Sequence, residues 1–164
     1  MSDQKQNVLF VCTGNSARSI LAEGILSHFG ADRFEAFSAG SHPKGAVNPL
    51  AVTTLKNLRV ADRPYRSKNW SEYVQEGAPH MDFVITVCDQ AAGEVCPMWP
   101  GQPVSAHWGL PDPAAVEGTE EVKREAFAAA AFTLKRRIEL FLSLPMTKLA
   151  TLAIQQEVRA IGSK

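Results

Sequence analysis

The stretch VLFVCTGNSARSILAEG, residues 8–24, constrains the fold more than any other part of the chain. Val8 to Val11 form a continuous apolar run, the pattern of a strand buried on both faces. Behind a short polar loop, Ile20, Leu21, Ile25, Leu26 and Phe29 keep helical spacing, and Gly30 stands where a helix-ending glycine would. A buried strand that turns at once into a helix begins a β-α-β unit.

The rest of the chain continues that alternation, with no internal repeat and no low-complexity linker. A second strand is predicted at Phe34 to Ser38, followed by a loop rich in Gly and Pro. Asn48 and Pro49 read as the N-cap and first-turn proline of a helix with Leu55 and Leu58 on one face. A short helix is expected around Trp70 to Gln75. Phe83 to Cys88, FVITVC, has the β-branched content of an interior strand, and a fourth strand is predicted at Pro103 to Trp108. Phe127, Ala131, Leu134, Ile138 and Phe141 step by four and three residues, which predicts a long amphipathic helix from Glu120 to Leu142. Glu120 and Glu121 suit its positive end. The whole is an α/β single-domain doubly wound sandwich of about four parallel strands flanked by helices. In such sheets ligands bind at the carboxyl ends of strands, near the point where strand order reverses. Cys12, Cys88 and the segment after Trp108 all fall at predicted strand ends.

Charge narrows the partners. The 164 residues carry 17 acidic and 17 basic side chains, so no charge-driven binding of nucleic acid or a membrane is implied. The polar N-terminus MSDQKQN has no apolar segment behind it for a signal peptide or a span, and a cytoplasmic protein is expected. Three cysteines in a reduced compartment read as catalytic or metal-binding thiols rather than a structural framework.

The spacing of Cys12 and Arg18 has a physical reading. Across Thr13, Gly14, Asn15, Ser16 and Ala17 the backbone can curl so that successive N–H groups, up to that of Arg18, point at one centre, and the helix behind adds its positive end. That is a cradle for an oxyanion. Arg18 completes it with a bidentate guanidinium, and Ser19 can donate its hydroxyl to the Cys12 sulfur. The same field favours the thiolate, since cysteines at helix N-termini commonly have a pKa of about 3.5 to 7.5. The bland alternative is a buried small cysteine beside a surface arginine. No Gly-Lys-Ser/Thr follows, which argues against a nucleotide phosphate loop.

VLFVCTGNSARS resembles the nucleophile loop of the low-molecular-weight protein tyrosine phosphatase superfamily, whose fold is a four-stranded parallel sheet flanked by helices. Within it, SAGS (38–41), VNPLAV (47–52), TVCDQAAGEVCPMWPG (86–101) and HWGLPDPAA (107–115) are similar to the arsenate reductase branch. The likeness covers residues 8 to 143. It implies that Cys12 is the nucleophile, that Arg18, Ser19 and the loop amides serve the oxyanion, and that Asp112 is the general acid. Read alone, the Asp112-Pro113 pair is equally a turn or a helix cap. Asn15 and Ser38 are implied to hold the loop, and a monovalent cation among Asn15, Ser38 and Glu23 is left open. Cys88 and Cys96 fill the places of two further redox thiols. Arsenic(V) bound to Cys12 sulfur would be reduced when Cys88 attacks that sulfur, and Cys96 would then resolve the disulfide toward the surface. The segment Asp89 to Val95 must fold back or move for that step.

Two departures from the superfamily pattern stand out: Ala17, where many phosphatases and many arsenate reductases have cysteine, and Ile20, where the phosphatases usually have proline. In addition, Ala114 and Ala115 stand where phosphotyrosine enzymes of this fold place the aromatic residues that sandwich the substrate ring. The implied function is arsenate reduction, with phosphate or sulfate as mimics of the substrate. No bound cofactor is expected, only an external dithiol: thioredoxin, or glutathione with glutaredoxin. A tyrosine or aryl phosphate phosphatase is the alternative. A zinc module built on the three thiols and His107 lacks a Cys-x2-Cys pair, so no metal is expected. The other histidines, His28, His42 and His80, read as surface or packing residues, with His107 alone near the site. Residues 1–145 form the expected catalytic domain. For the extension 146–164, with Leu149, Leu152 and Ile161, the alternatives are an amphipathic helix, docked or used in a dimer, and a frayed tail.

Overall fold

The structure, a computed structural model, describes residues 5–88, 99–146 and 151–164. Strands β1 (Gln6–Cys12), β2 (Phe34–Gly40), β3 (Phe83–Thr86) and β4 (Val104–His107) form one parallel sheet in the order β2-β1-β3-β4. The register places Val8 between Ala36 and Phe83. The chain leaves β1 toward β2 on one side and later builds β3 and β4 on the other. Strand order therefore reverses between β1 and β3, and the crevice of the sheet opens beyond Cys12.

Among the described residues four helices, α1 (Arg18–Phe29), α2 (Pro49–Asn57), α3 (Glu120–Leu142) and α4 (Thr151–Ile161), accompany the sheet, with 3-10 turns at Trp70–Tyr73 and Pro113–Ala115. The expected short helix near Trp70 is thus a single tight turn, capped by the Asn69 side chain. Asn48 caps α2 as its sequence predicts, its Oδ1 accepting from Leu50 N at 2.9 Å. Thr119 caps α3. The stripe Phe127, Ala131, Leu134, Ile138 and Phe141 is fully buried, and the Phe141 ring meets Phe34, Phe83 and Trp108 at centroid distances of 4.9, 5.0 and 6.0 Å. Aromatic pairs at these separations seat the long helix on β2, β3 and the residue that follows β4.

Three details depart from the sequence pattern. β3 ends at Thr86, two residues short of Cys88, although Val87 N still donates to Val11 O at 2.8 Å. In α1 every residue from Ser19 to Leu26 is buried, because β1, β2, α2 and α3 surround its first two turns. Phe29, expected on the apolar face, is 39% exposed and lies under the Lys135 ammonium. Gly30 ends α1 at φ −113°, outside the left-handed region. Its reason is steric: a Cβ there would meet Leu26 Cδ1 at 2.9 Å and Leu142 Cδ2 at 3.0 Å.

The C-terminal segment is a docked helix. Val158 and Ile161 are buried, α4 packs on β4, and Trp108 Nε1 donates to Val158 O at 2.9 Å. Arg137, buried in α3, donates to the carbonyls of Trp108, Gly109 and Gly162. Leu152 is exposed, and Leu149 lies outside the described residues.

Candidate active site

The loop after β1 is shaped by where its carbonyls go. Cys12 O accepts from Ser41 N, Thr13 O from His42 N, Gly14 O from Lys44 N and the Ser67 hydroxyl, and Ser16 O from Asn48 N. Every one of these partners belongs to segment 41–48 or to Ser67, outside the loop itself. In a trans peptide the N–H points opposite to the C=O, so the amides of Thr13, Gly14, Asn15 and Ala17 turn inward. Asn15 N shows the result, donating to Cys12 Sγ at 3.2 Å. Asn15 itself adopts φ 44°, a left-handed conformation that asparagine tolerates better than most residues.

Two features let the loop sit so close to its neighbours. Gly40 ends β2 directly beneath it, and a Cβ there would press on Thr13 O and lie 3.0 Å from both Asn15 N and Cys12 O. Ala17 precedes α1 with no side-chain cap, so the first turn of the helix is left to face the cradle.

Of the site residues expected from the sequence, the described ones stand around this loop. Cys12 is 3% exposed and its sulfur lies 2.9 Å from Ser19 Oγ. Cys12, Thr13, Gly14, Ser16, Ala17, Arg18 and Asp112 line one cavity of about 270 Å³, together with His42 and Lys44. That volume lies just below the roughly 300–1,000 Å³ usual for drug-sized ligands. Arg18 donates to Leu110 O at 3.0 Å and stands 3.6 Å from Asp112 Oδ2, tying the helix to the loop that carries Asp112. Asp112 is a cap and also an ion-pair partner of Arg18. Its Oδ1 caps the 3-10 turn by accepting from Ala114 N at 2.9 Å, while Oδ2 faces the guanidinium. Cys88 is buried, with its sulfur 3.5 Å from Thr13 Oγ1. Cys96 and the segment Asp89 to Val95 lie outside the described residues.

Sequence reasoning missed three groups. His42 and Lys44, not His107, line the cavity among the described residues; His107 bonds Thr86 Oγ1 at 2.8 Å through Nδ1. The third is Lys68, 7% exposed, whose ammonium lies 3.4 Å from Asn15 Oδ1, 3.5 Å from Ser38 Oγ and 4.0 Å from Glu23 Oε1. A lysine thus stands among the oxygens that the sequence left open to a monovalent cation. Burial holds its pKa below the ordinary lysine value, and the Glu23 carboxylate opposes that shift. Among the described residues no three His, Cys, Asp or Glu side chains cluster as metal ligands.

Comparison with known proteins places this geometry. The sequence profile of the low molecular weight phosphotyrosine protein phosphatase family matches residues 7–156. The chain belongs to that family. Within the family it is 36% identical over 137 residues to a protein of Halalkalibacterium halodurans named arsenate reductase, covering 84% of this chain and 95% of the relative. Among solved family members, the thioredoxin-dependent arsenate reductase of Corynebacterium glutamicum superposes with a TM-score of 0.62 at 28% identity, over 90% of this chain and 66% of that longer one. An arsenate reductase solved in its phosphate-binding state gives 0.63 at 25% identity, over 82% of this chain and 94% of that one. No helix among the described residues is long and apolar enough to cross a membrane.

Proposed function

We propose that the protein reduces arsenate to arsenite, with Cys12 as nucleophile and Cys12, Cys88 and Cys96 as a thiol-disulfide relay. The observation that carries this reading is the Cys88 sulfur beside the oxyanion loop, 3.5 Å from Thr13 Oγ1. Hydrolysis of a phosphate ester has no use for a second thiol there. The relatives named arsenate reductase support the same reading. So does the cavity, which among the described residues has no Phe, Tyr or Trp to sandwich an aryl ring.

The Cys12 thiolate attacks arsenic(V), held by the amides of Thr13 to Arg18 and by the Arg18 guanidinium. An S–As bond forms, and one arsenate oxygen leaves as water after taking a proton from Asp112. The Cys88 thiolate then attacks Cys12 sulfur. An S–S bond forms, the S–As bond breaks, and its electron pair stays on arsenic, which departs as arsenite. The two electrons gained by arsenic are those lost by the two thiols. Cys96 attacks Cys88 and forms a Cys88–Cys96 disulfide, releasing Cys12 as a thiolate for the next cycle. An external dithiol reduces that pair; thioredoxin is the reductant we assign, and a glutathione and glutaredoxin route is the other. A supply of reduced dithiol places the protein in the cytoplasm. Residues 1–145 carry the chemistry, and 146–164 extend the domain.

Replacement of the third thiol tests the sequence of steps. Cys96→Ser, given arsenate and thioredoxin alone, should release about one arsenite per chain and then stop. Mass spectrometry of the quenched, non-reduced protein should show a Cys12–Cys88 bond. Continued turnover, or the absence of that bond, contradicts the relay.

A further inference from the structure

Among the described residues, Lys68 is a buried cation of the site that the chemistry above does not use. It lies 53 residues from Asn15 in sequence, yet two of its donors converge on one acceptor. Its backbone N–H reaches Asn15 Oδ1 at 2.9 Å and its ammonium reaches the same oxygen at 3.4 Å. Both groups can only donate, so the Asn15 amide must present its oxygen to Lys68 and its NH2 group away from it.

The direction of every proton beyond that point follows. Asn15 Nδ2 donates to Ser19 Oγ at 2.8 Å and to Ser38 Oγ at 3.0 Å, which uses both of its hydrogens. Ser19 accepts from Asn15 and keeps its one hydroxyl proton for Cys12 Sγ at 2.9 Å, where a thiolate can only accept. Ser38 likewise donates to Glu23 Oε1 at 2.5 Å. Were the Asn15 amide turned over, its oxygen would face Ser19 and take the proton that now points at sulfur. The ammonium is itself anchored, donating to Arg66 O at 2.7 Å. Around it stand the Glu23 carboxylate from α1, which Arg63 also meets at 3.3 Å, and Arg66, Arg63 and Glu72 at greater range.

We propose that Lys68 is a positioning residue for the nucleophile: held by Arg66 O and balanced by Glu23, it fixes the Asn15 amide so that the Ser19 hydroxyl donates to the Cys12 sulfur. Lys68 touches no reacting atom and acts through two intervening side chains. The inference rests on Cys12 as the nucleophile of the preceding section. Its test reads the sulfur directly and needs no arsenate, so failure of the reductase reading and failure of this one are separately visible.

The experiment is a double-mutant cycle on the full chain, read by the pH profile of Cys12 alkylation with iodoacetamide and resolved by peptide mass spectrometry. Lys68→Met should move the midpoint of that profile up by about one pH unit, a roughly tenfold loss of labelling rate below the midpoint. Ser19→Ala should move it by a similar amount, and adding Lys68→Met to Ser19→Ala should move it no further. Lys68→Arg, which keeps a cationic donor, should leave the midpoint with the unsubstituted protein and guards against a Met variant that fails to fold. A Lys68→Met profile without displacement, an Arg profile displaced as far as that of Met, or full additivity with Ser19→Ala overturns the proposal.

Discussion

Thr13 Oγ1 and Cys88 Sγ stand 3.5 Å apart across the ends of β1 and β3. Adjacent strands run about 4.8 Å apart, and a disulfide needs Cα atoms within about 7 Å, so thiols at the ends of neighbouring strands can join with local adjustment only. The strand order produces this meeting. Because β3 pairs with β1 on the side opposite β2, the loop that begins at Cys12 and the Cys88 thiol share the crevice where the order reverses.

Asp112 both caps a turn and faces Arg18, and the two roles separate by substitution. Asparagine caps as well as aspartate but cannot give up a proton. Asp112→Asn should therefore slow arsenate reduction by about 10²- to 10⁴-fold while the melting temperature stays unchanged. Asp112→Ala should lower both rate and melting temperature. Unchanged turnover in Asp112→Asn would reduce this residue to a cap.

Gly40 is the floor of the oxyanion loop. Gly40→Ala should force Thr13 O, Cys12 O and Asn15 N outward and cost about 1–3 kcal/mol of stability. The larger effect should fall on the cradle. Phosphate should raise the melting temperature of the unsubstituted protein, as any ligand of the folded state does, and fail to raise that of Gly40→Ala. Equal protection of both would show that the loop tolerates the methyl group.

Both tyrosines of the chain, Tyr65 and Tyr73, have their pKa pushed up to about 12, first by burial and then by the Glu23 charge. An unfolded tyrosine ionises near pH 10, so each contributes stability that is fully present below about pH 10 and lost as the pH rises through about 12. The ultraviolet absorbance of tyrosinate reports this directly. The native protein should show little tyrosinate at pH 10.5 to 11 and gain it only near 12 or on unfolding, whereas a normal titration centred on about pH 10 would contradict the burial.

Much of this arrangement is legible in the sequence, for local reasons. Val8 to Val11, the Asn48-Pro49 cap and the stripe from Phe127 to Phe141 carry their periodicity within single elements, and Cys12 and Arg18 bracket one short loop. What the sequence hides is what depends on distant segments meeting. Lys68 lies in RSKN, which reads as a solvated loop, and only the parallel bridge that sets Asn69 beside Gly40 carries it under the loop. Gly40 has φ in the ordinary range, so nothing in its neighbours signals that Thr13 O lies against it. His42 and Lys44 reach the cavity because their backbone amides satisfy loop carbonyls, a contact no periodicity predicts.

Cys88→Ser assayed on two substrates decides whether the second thiol beside the oxyanion loop makes this protein a reductase. Arsenate reduction should disappear, while residual hydrolysis of an aryl phosphate, which needs only Cys12, Arg18 and Asp112, should persist at the level of the unsubstituted protein. Equal loss on both substrates, or arsenate turnover that survives the substitution, would contradict it.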